Sequence, residues 1–125
     1  MRYFGAVIIT PKEVLAYQTR EGKIPFNEWL DDLVDRRVVA RIFARLARVR
    51  QGNLGDCRGV GEGVSDLRVD YGPGYRVYFA QKGQTLVILF CGDDKRTQER
   101  DIQRAKQYWQ DYNEQDQEYE KRREI

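Results

Sequence analysis

Histidine is missing from all 125 residues. Any mechanism built on an imidazole base, a His–Asp relay or a histidine metal ligand is therefore excluded, and most hydrolase templates go with it. Cysteine is scarce. Cys57 and Cys91 make neither a disulfide framework nor, by themselves, a tetrahedral zinc site, and they read as reduced thiols of a cytosolic protein. No apolar run approaches the roughly 18 residues of a membrane span, and Met1 to Thr10 lacks the apolar core and small-residue cleavage site of a signal peptide. The expectation is a soluble, cytoplasmic protein with no membrane partner. What the chain does have is charge: 22 lysines and arginines against 20 aspartates and glutamates, a formal net charge of +2. These charges are spread so unevenly that segment charges say more than the total. With 41% hydrophobic residues, the chain can fill one core but not two.

Residues 14–19 are β-prone and lead into a turn at 20–23. Pro25 suits the first position of a helix, and Phe26, Trp29, Leu30 and Leu33 follow at helical spacing with Glu28, Asp31 and Asp32 outward. Asp35 then caps a second helix ending at Gly52, with Val39, Ile42, Phe43, Leu46 and Val49 expected as its buried stripe. Residues 52–63 hold five glycines and read as an irregular loop. That loop follows a helix and precedes a strand, the reverse of a phosphate loop's context, so it gains no nucleotide site.

Three strands are expected at 64–70, 75–81 and 85–91, and side-chain alternation fixes how the first two pair. With Arg68 opposite Arg76, Leu67 meets Val77 and Val69 meets Tyr75, so the apolar partners share one face. A two-residue turn at Gly83-Gln84 then places Val77 opposite Phe90 and Phe79 opposite Ile88. Leu67, Val69, Tyr75, Val77, Phe79, Leu86, Ile88 and Phe90 should pack under the helical hairpin. The other face should carry Asp66, Arg68, Asp70, Arg76 and Tyr78 beside Val87, Leu89 and Cys91, partly covered by the C-terminal helix or a partner. Two guanidinium groups on one sheet face form a rigid receptor for a phosphodiester. The plainer alternative is ion pairing, Arg68 with Asp66 or Asp70 and Arg76 with another carboxylate.

Residues 92–97 close the last strand and open the final helix, with Thr97 as its cap. Lys95 and Arg96 are thereby delivered to the sheet edge, while Asp93 and Asp94 read as turn and helix-start acids, not as metal ligands. Ile102, Ala105, Trp109 and Tyr112 repeat at three-four spacing and mark a core-packing helix. Beyond Tyr112 the core signal fades into a frayed helix or tail. The chain divides into an N-terminal extension, 1–12, a domain, 13–112, and a charged C-terminal tail, 113–125.

The run Gly61-Glu62-Gly63-Val64-Ser65-Asp66-Leu67-Arg68 is followed by Gly72-Pro73-Gly74-Tyr75-Arg76-Val77-Tyr78-Phe79 and by Leu89-Phe90-Cys91-Gly92-Asp93-Asp94-Lys95-Arg96-Thr97-Gln98. In this order the runs resemble the RelE/ParE superfamily. More closely, they are similar to HigB-like addiction module killer toxins, which share the Pro-Phe-x-x-Trp-Leu helix start at 25–30. The resemblance covers about residues 14–112. It implies an α+β, RelE-like small domain of order β-α-α-β-β-β-α, a mostly antiparallel sheet with a helical hairpin on one face and a C-terminal helix.

The resemblance also implies a type II toxin, commonly a ribosome-dependent, metal-independent mRNA endoribonuclease without a cofactor. Its partners would be the ribosome and mRNA, a small helix-turn-helix antitoxin, and operator DNA through that antitoxin. Carried over by position, the catalytic residues are Arg68, Arg76, Lys95 and Arg96. A tyrosine of the best-known relative is matched here by Ile102, which leaves the general base unassigned. RNA supplies its own 2′-hydroxyl nucleophile, so aligned cations suffice to stabilise the phosphorane, with Tyr78 orienting or stacking on a base. The second helix has six arginines and no acid between positions 36 and 50. Arg37, Arg41, Arg45 and Arg48 read as one outward stripe that docks RNA, against the alternatives of a solvated face or an acidic antitoxin segment. On the same scaffold, a ParE-like gyrase inhibitor and a non-catalytic antitoxin-binding module stay open.

Overall fold

The computed structural model of the chain describes residues 11–123. Most of the N-terminal extension expected at 1–12 lies outside the described residues. The elements run β1 (Glu13–Ala16), α1 (Pro25–Asp32), α2 (Arg36–Arg50), β2 (Cys57–Gly61), β3 (Val64–Val69), β4 (Tyr75–Lys82), β5 (Leu86–Asp93) and α3 (Gln98–Arg123). They form an α+β domain whose sheet has the order β1-β5-β4-β3-β2. Among the described residues, only β1 and β5 pair in parallel; the remaining neighbours are antiparallel.

Local chemistry sets the helix ends. Pro25 opens α1, and Asp35 caps α2 by accepting a hydrogen bond from the Arg37 amide at 2.9 Å. Gly52 closes α2 at φ +96°, where its amide donates to Val49 and the Asn53 amide to Arg48. This paired closure needs the left-handed conformation that glycine adopts without a Cβ penalty. The expected loop at 52–63 is corrected in part, because residues 57–61 form an edge strand. Glu62 and Gly63 both have positive φ and make the tight turn that joins β2 to β3, a geometry matched to strand twist.

The β3–β4 register is the expected one: Arg68 opposite Arg76, Leu67 opposite Val77, Val69 opposite Tyr75. The β5 register is not. Lys82 pairs with Leu86 across a three-residue loop, so Phe79 meets Leu89 instead of Ile88. A bulge next to Phe90 shifts the count again, and Val77 meets Gly92 instead of Phe90. Each one-residue shift exchanges the two faces of a strand. Val87 and Leu89 therefore join Leu67, Val69, Val77 and Phe79 against α1 and α2, where Phe26, Leu30, Val38, Val39, Ile42, Leu46 and Val49 complete the core. Ile88 and Phe90, expected there, lie on the opposite face with Val64, Tyr78, Ala80 and Cys91, and half-buried Leu86 packs beside them. Phe43, expected in the α2 stripe, is half exposed, and Val38 is buried in the stripe instead.

The second face is covered by α3 through Ala105, Ile102, Tyr108, Trp109 and Tyr112. The cover foreseen for Val87 and Leu89 thus belongs to Ile88 and Phe90. The helix continues well past Tyr112, to Arg123. Polar contacts hold the extension: Tyr17 donates to Asp111 at 2.5 Å, Arg20 bridges Asp111 and Glu118, and Lys82 pairs with Asp116. Burial opposes ionisation of Asp111, but hydrogen bonds from Tyr17, Gln115 and Arg20 outweigh it and hold the carboxyl below its usual range.

Gly92 is needed for packing. A Cβ there would run into the six-membered ring of the Trp29 indole. Gly92→Ala should therefore lower stability by about 1–3 kcal/mol in urea unfolding through overpacking. Combining it with Trp29→Ala should cost less than the two single losses added together; full additivity would contradict the contact. Asp111 has a lowered folded pKa, so its contribution is present above the unfolded value of about 3.9 and lost as pH falls through the folded value. Thermal unfolding between about pH 5 and 2 should thus be less steeply pH dependent in Asp111→Asn than in the parent.

Candidate anion-binding site

Three strands deliver one row of charge to the sheet face under α3. Arg68 on β3 stands opposite Arg76 on β4, and Arg76 opposite Asp93 on β5. The next row is Asp66, Tyr78 and Cys91. The Phe90 bulge is what turns Asp93 toward Arg76 while Gly92 faces Trp29.

Within this cluster the Asp93 carboxylate is the hub. It accepts from Arg76 Nε at 2.9 Å and from the Tyr78 hydroxyl at 2.6 Å. All three side chains are buried: Arg76 is 4% exposed, Asp93 3% and Tyr78 0%. Asp66, also buried, takes a longer contact from Arg68 Nη2 at 3.5 Å. The ion-pair alternative read from the sequence is thus present for both arginines, with two aspartates balancing two guanidinium groups. Pairing is not saturated. Among the described residues, Arg68 Nε, Arg76 Nη2 and Asp66 Oδ1 have no hydrogen-bond partner although each is buried. Unmet groups of this kind are costly: the two arginine donors favour water or an anion, and the Asp66 oxygen favours water or another donor.

The remaining predicted site residues divide. Lys95 is exposed, has φ +90°, and lies across the turn that joins β3 to β4: a Cβ on Gly74 would come within 3.4 Å of Lys95 Cε. Arg96 is exposed and is held by Asp94 at 2.7 Å. Tyr78 cannot stack on a base from this position, a correction that follows from its complete burial. Burial and the bond to Asp93 also push its hydroxyl well above the ordinary tyrosine range, so it is a donor and not a base. Ile102 is half-buried in the α3 core.

The arginine stripe of α2 is broken at Arg45. Its guanidinium turns inward and donates to the backbone carbonyls of Leu54, Asp56 and Arg68. Arg37, Arg41 and Arg48 are exposed as expected; Arg37 pairs with Asp35, and Arg41 sits 5.1 Å from the centre of the Tyr71 ring. Arg45 thus stitches the glycine-rich connection to β3, and burial pulls its pKa down.

Sequence reasoning named Asp66 as a candidate partner of Arg68 but read Asp93 only as a turn acid. The available signal was their register: each lies two positions from, or directly across from, an arginine on one face. Beside Asp93 opens a cleft of about 720 Å³ between α1 and α3, with Lys23, Trp29, Arg96, Arg100 and Tyr108 among its walls. No group of three or more His, Cys, Asp or Glu side chains among the described residues is placed to hold a metal ion. Cys91 is buried and its thiol is pushed up to about 12 by desolvation, so it is no nucleophile at neutral pH. The arrangement can stabilise negative charge through the unmatched N–H donors of Arg68 and Arg76.

The fold and this cluster define a small α+β domain with a paired-arginine site. An uncharacterized protein of Haemophilus influenzae is 47% identical over 83 residues, which cover 66% of this chain and 84% of that protein. The chain belongs to the same family as that protein. No protein-family model matches it.

Removing Asp93 should be costly because Arg76 would be left charged and buried. Asp93→Ala is expected to lose about 3–5 kcal/mol of stability, whereas Arg76→Met with Asp93→Leu should lose much less. Equal losses in urea denaturation would contradict a buried ion pair at this place.

Proposed function

We propose that this protein is a cytoplasmic toxin of a type II toxin–antitoxin pair, an endoribonuclease of the RelE/HigB kind that cuts mRNA on the ribosome. A small helix-turn-helix antitoxin neutralises it and carries the pair to operator DNA. The observation that carries this reading is the direct opposition of Arg68 and Arg76, each with an unsatisfied N–H. The observed order, β-α-α-β-β-β-β-α, has one strand more, the edge strand β2, than the order the resemblance implies.

In this mechanism the 2′-oxygen of the RNA attacks the adjacent phosphorus and the 5′-oxygen leaves, giving a 2′,3′-cyclic phosphate and a 5′-hydroxyl; water takes the 2′-hydroxyl proton and supplies one to the 5′-oxygen, while the protein supplies alignment and charge. Arg68, 29% exposed at its side chain, and Lys95 receive the phosphoryl oxygens. Arg76 is oriented by Asp93 through Nε and lends its free Nη2. Arg96 exchanges Asp94 for the nucleotide that follows. Neither metal nor cofactor enters.

The burial of Arg76 against Asp93 favours a second reading. There the scaffold does not cut RNA and acts on a protein, either DNA gyrase or the antitoxin alone. One pair of assays separates them. Purified protein in a translating extract should cleave translated mRNA, and Arg68→Ala should slow cleavage about 10²–10³-fold, as for loss of one donor to a transition-state anion. Intact mRNA with inhibited gyrase supercoiling, or with no effect on either assay, would overturn the nuclease reading.

A further inference from the structure

The walls of the cleft between α1 and α3 carry opposite charge and do not meet. Glu28 and Asp32 stand one turn apart on α1, both exposed, and Arg100 and Arg104 stand one turn apart on α3, also exposed. Among the described residues no ion pair crosses the space. Arg100 and Arg104 reach only Asp101 on their own helix, at 3.4 and 4.0 Å, and contacts of that length leave most of their donors free. Each wall also holds one aromatic ring, half-buried and fixed in place. The Trp29 indole is wedged against Gly92, and Tyr108 is stacked on Tyr17 with ring centres 5.0 Å apart. At about 720 Å³ the space is of the size that small-molecule sites have.

We propose that this cleft binds a nucleotide, its base laid against Trp29 and Tyr108, its exocyclic amine donating to Glu28 or Asp32, and its phosphate held by Arg100 and Arg104. Aromatic faces accept any base by stacking, carboxylates select a base that presents an amine, and guanidinium groups match a phosphate. Rings already held by Gly92 and Tyr17 need little ordering on binding. A ligand that is anionic throughout would meet the acidic wall of α1, and one without charge would leave the arginines unused. Two sources carry this chemistry. One is a free mononucleotide; the other is the nucleotide that follows the cut in an RNA held at Arg68 and Arg76, since the Asp93 partner of Arg76 stands in the same cleft wall. The inference goes beyond the nuclease reading: mononucleotide binding is measured without cleavage, so either can fail alone.

The test adds AMP, GMP, CMP, UMP or inorganic phosphate to the isotope-labelled full chain and follows the Trp29 indole N–H by NMR, told from that of Trp109 by the spectrum of Trp29→Phe. At least one of AMP, GMP and CMP should shift it saturably. UMP, which has no exocyclic amine, should bind at least about tenfold more weakly than the tightest of these, and phosphate alone should leave the signal unmoved. Arg100→Gln/Arg104→Gln, on exposed positions where circular dichroism should match the parent, should weaken binding at least about tenfold. Glu28→Ala/Asp32→Ala should erase the difference between UMP and the other three. No shift with any mononucleotide, an equal shift with phosphate alone, UMP bound as tightly as the others, or undiminished binding to the arginine variant would overturn the proposal. A short 2′-O-methyl RNA separates the sources. Displacement of the mononucleotide by that RNA, weakened by Arg68→Ala, assigns the cleft to RNA, whereas a mononucleotide that it does not displace is the free ligand; either result upholds the site.

Discussion

Much of what the α3 side of the sheet can do depends on one buried carboxylate. Asp93 accepts from both Arg76 and Tyr78, and without it a guanidinium and a phenol would be stranded under a helix. A buried charge is tolerable only when paired and hydrogen-bonded. Pairing through Nε also fixes the direction of the guanidinium and leaves Nη2 unmatched. Structural support and a spare donor thus come from the same contact. The bulge at Phe90 makes the contact possible, because without it the alternation of β5 would send Asp93 to the other face.

The opposite orientation of Gly92 follows from the same bulge. The indole of Trp29 occupies the volume a side chain would need, so α1 sits tightly on the end of β5. The cleft between α1 and α3 opens beside this point, with Asp93 in its wall. A change in how α1 or α3 sits would therefore reach Arg76 through one strand.

The β3–β4 pairing was legible in the sequence because alternation alone decides it: only one register puts all apolar partners together. The β5 pairing was not, since a third loop residue and a bulge each reverse the parity, and neither leaves a hydrophobic pattern different from that of a regular strand. Apolar residues on both faces of β5 removed the usual check. The second helix held a readable warning. Val38, Ile42 and Val49 share a face with position 45 by helical spacing, and a long arginine there had to bury itself and find acceptors. The carbonyls of Leu54, Asp56 and Arg68 meet that need. β2 was hidden by glycines that serve its turns as much as they weaken its strand propensity. For the site, the arginine pair and the Asp66 partner of Arg68 were readable from register, but Asp93, which neutralises Arg76, was taken for a turn residue.

Two basic features of the chain thus lie on opposite faces of the sheet. The arginines under α3 are few and individually paired with acids, Arg76 buried and Arg68 half-buried, whereas those of α2 other than Arg45 are exposed. The most direct measurement of the central claim follows the arginine Nε–H signals by NMR while a 2′-O-methyl RNA, which cannot be cleaved, is added. Arg76 Nε, already bonded to Asp93, should keep its shift before and after addition, and Arg68 Nε, which has no partner among the described residues, should shift only with RNA. Shifts confined to Arg37, Arg41 and Arg48, with Arg68 unchanged, would contradict a phosphodiester site at the paired arginines.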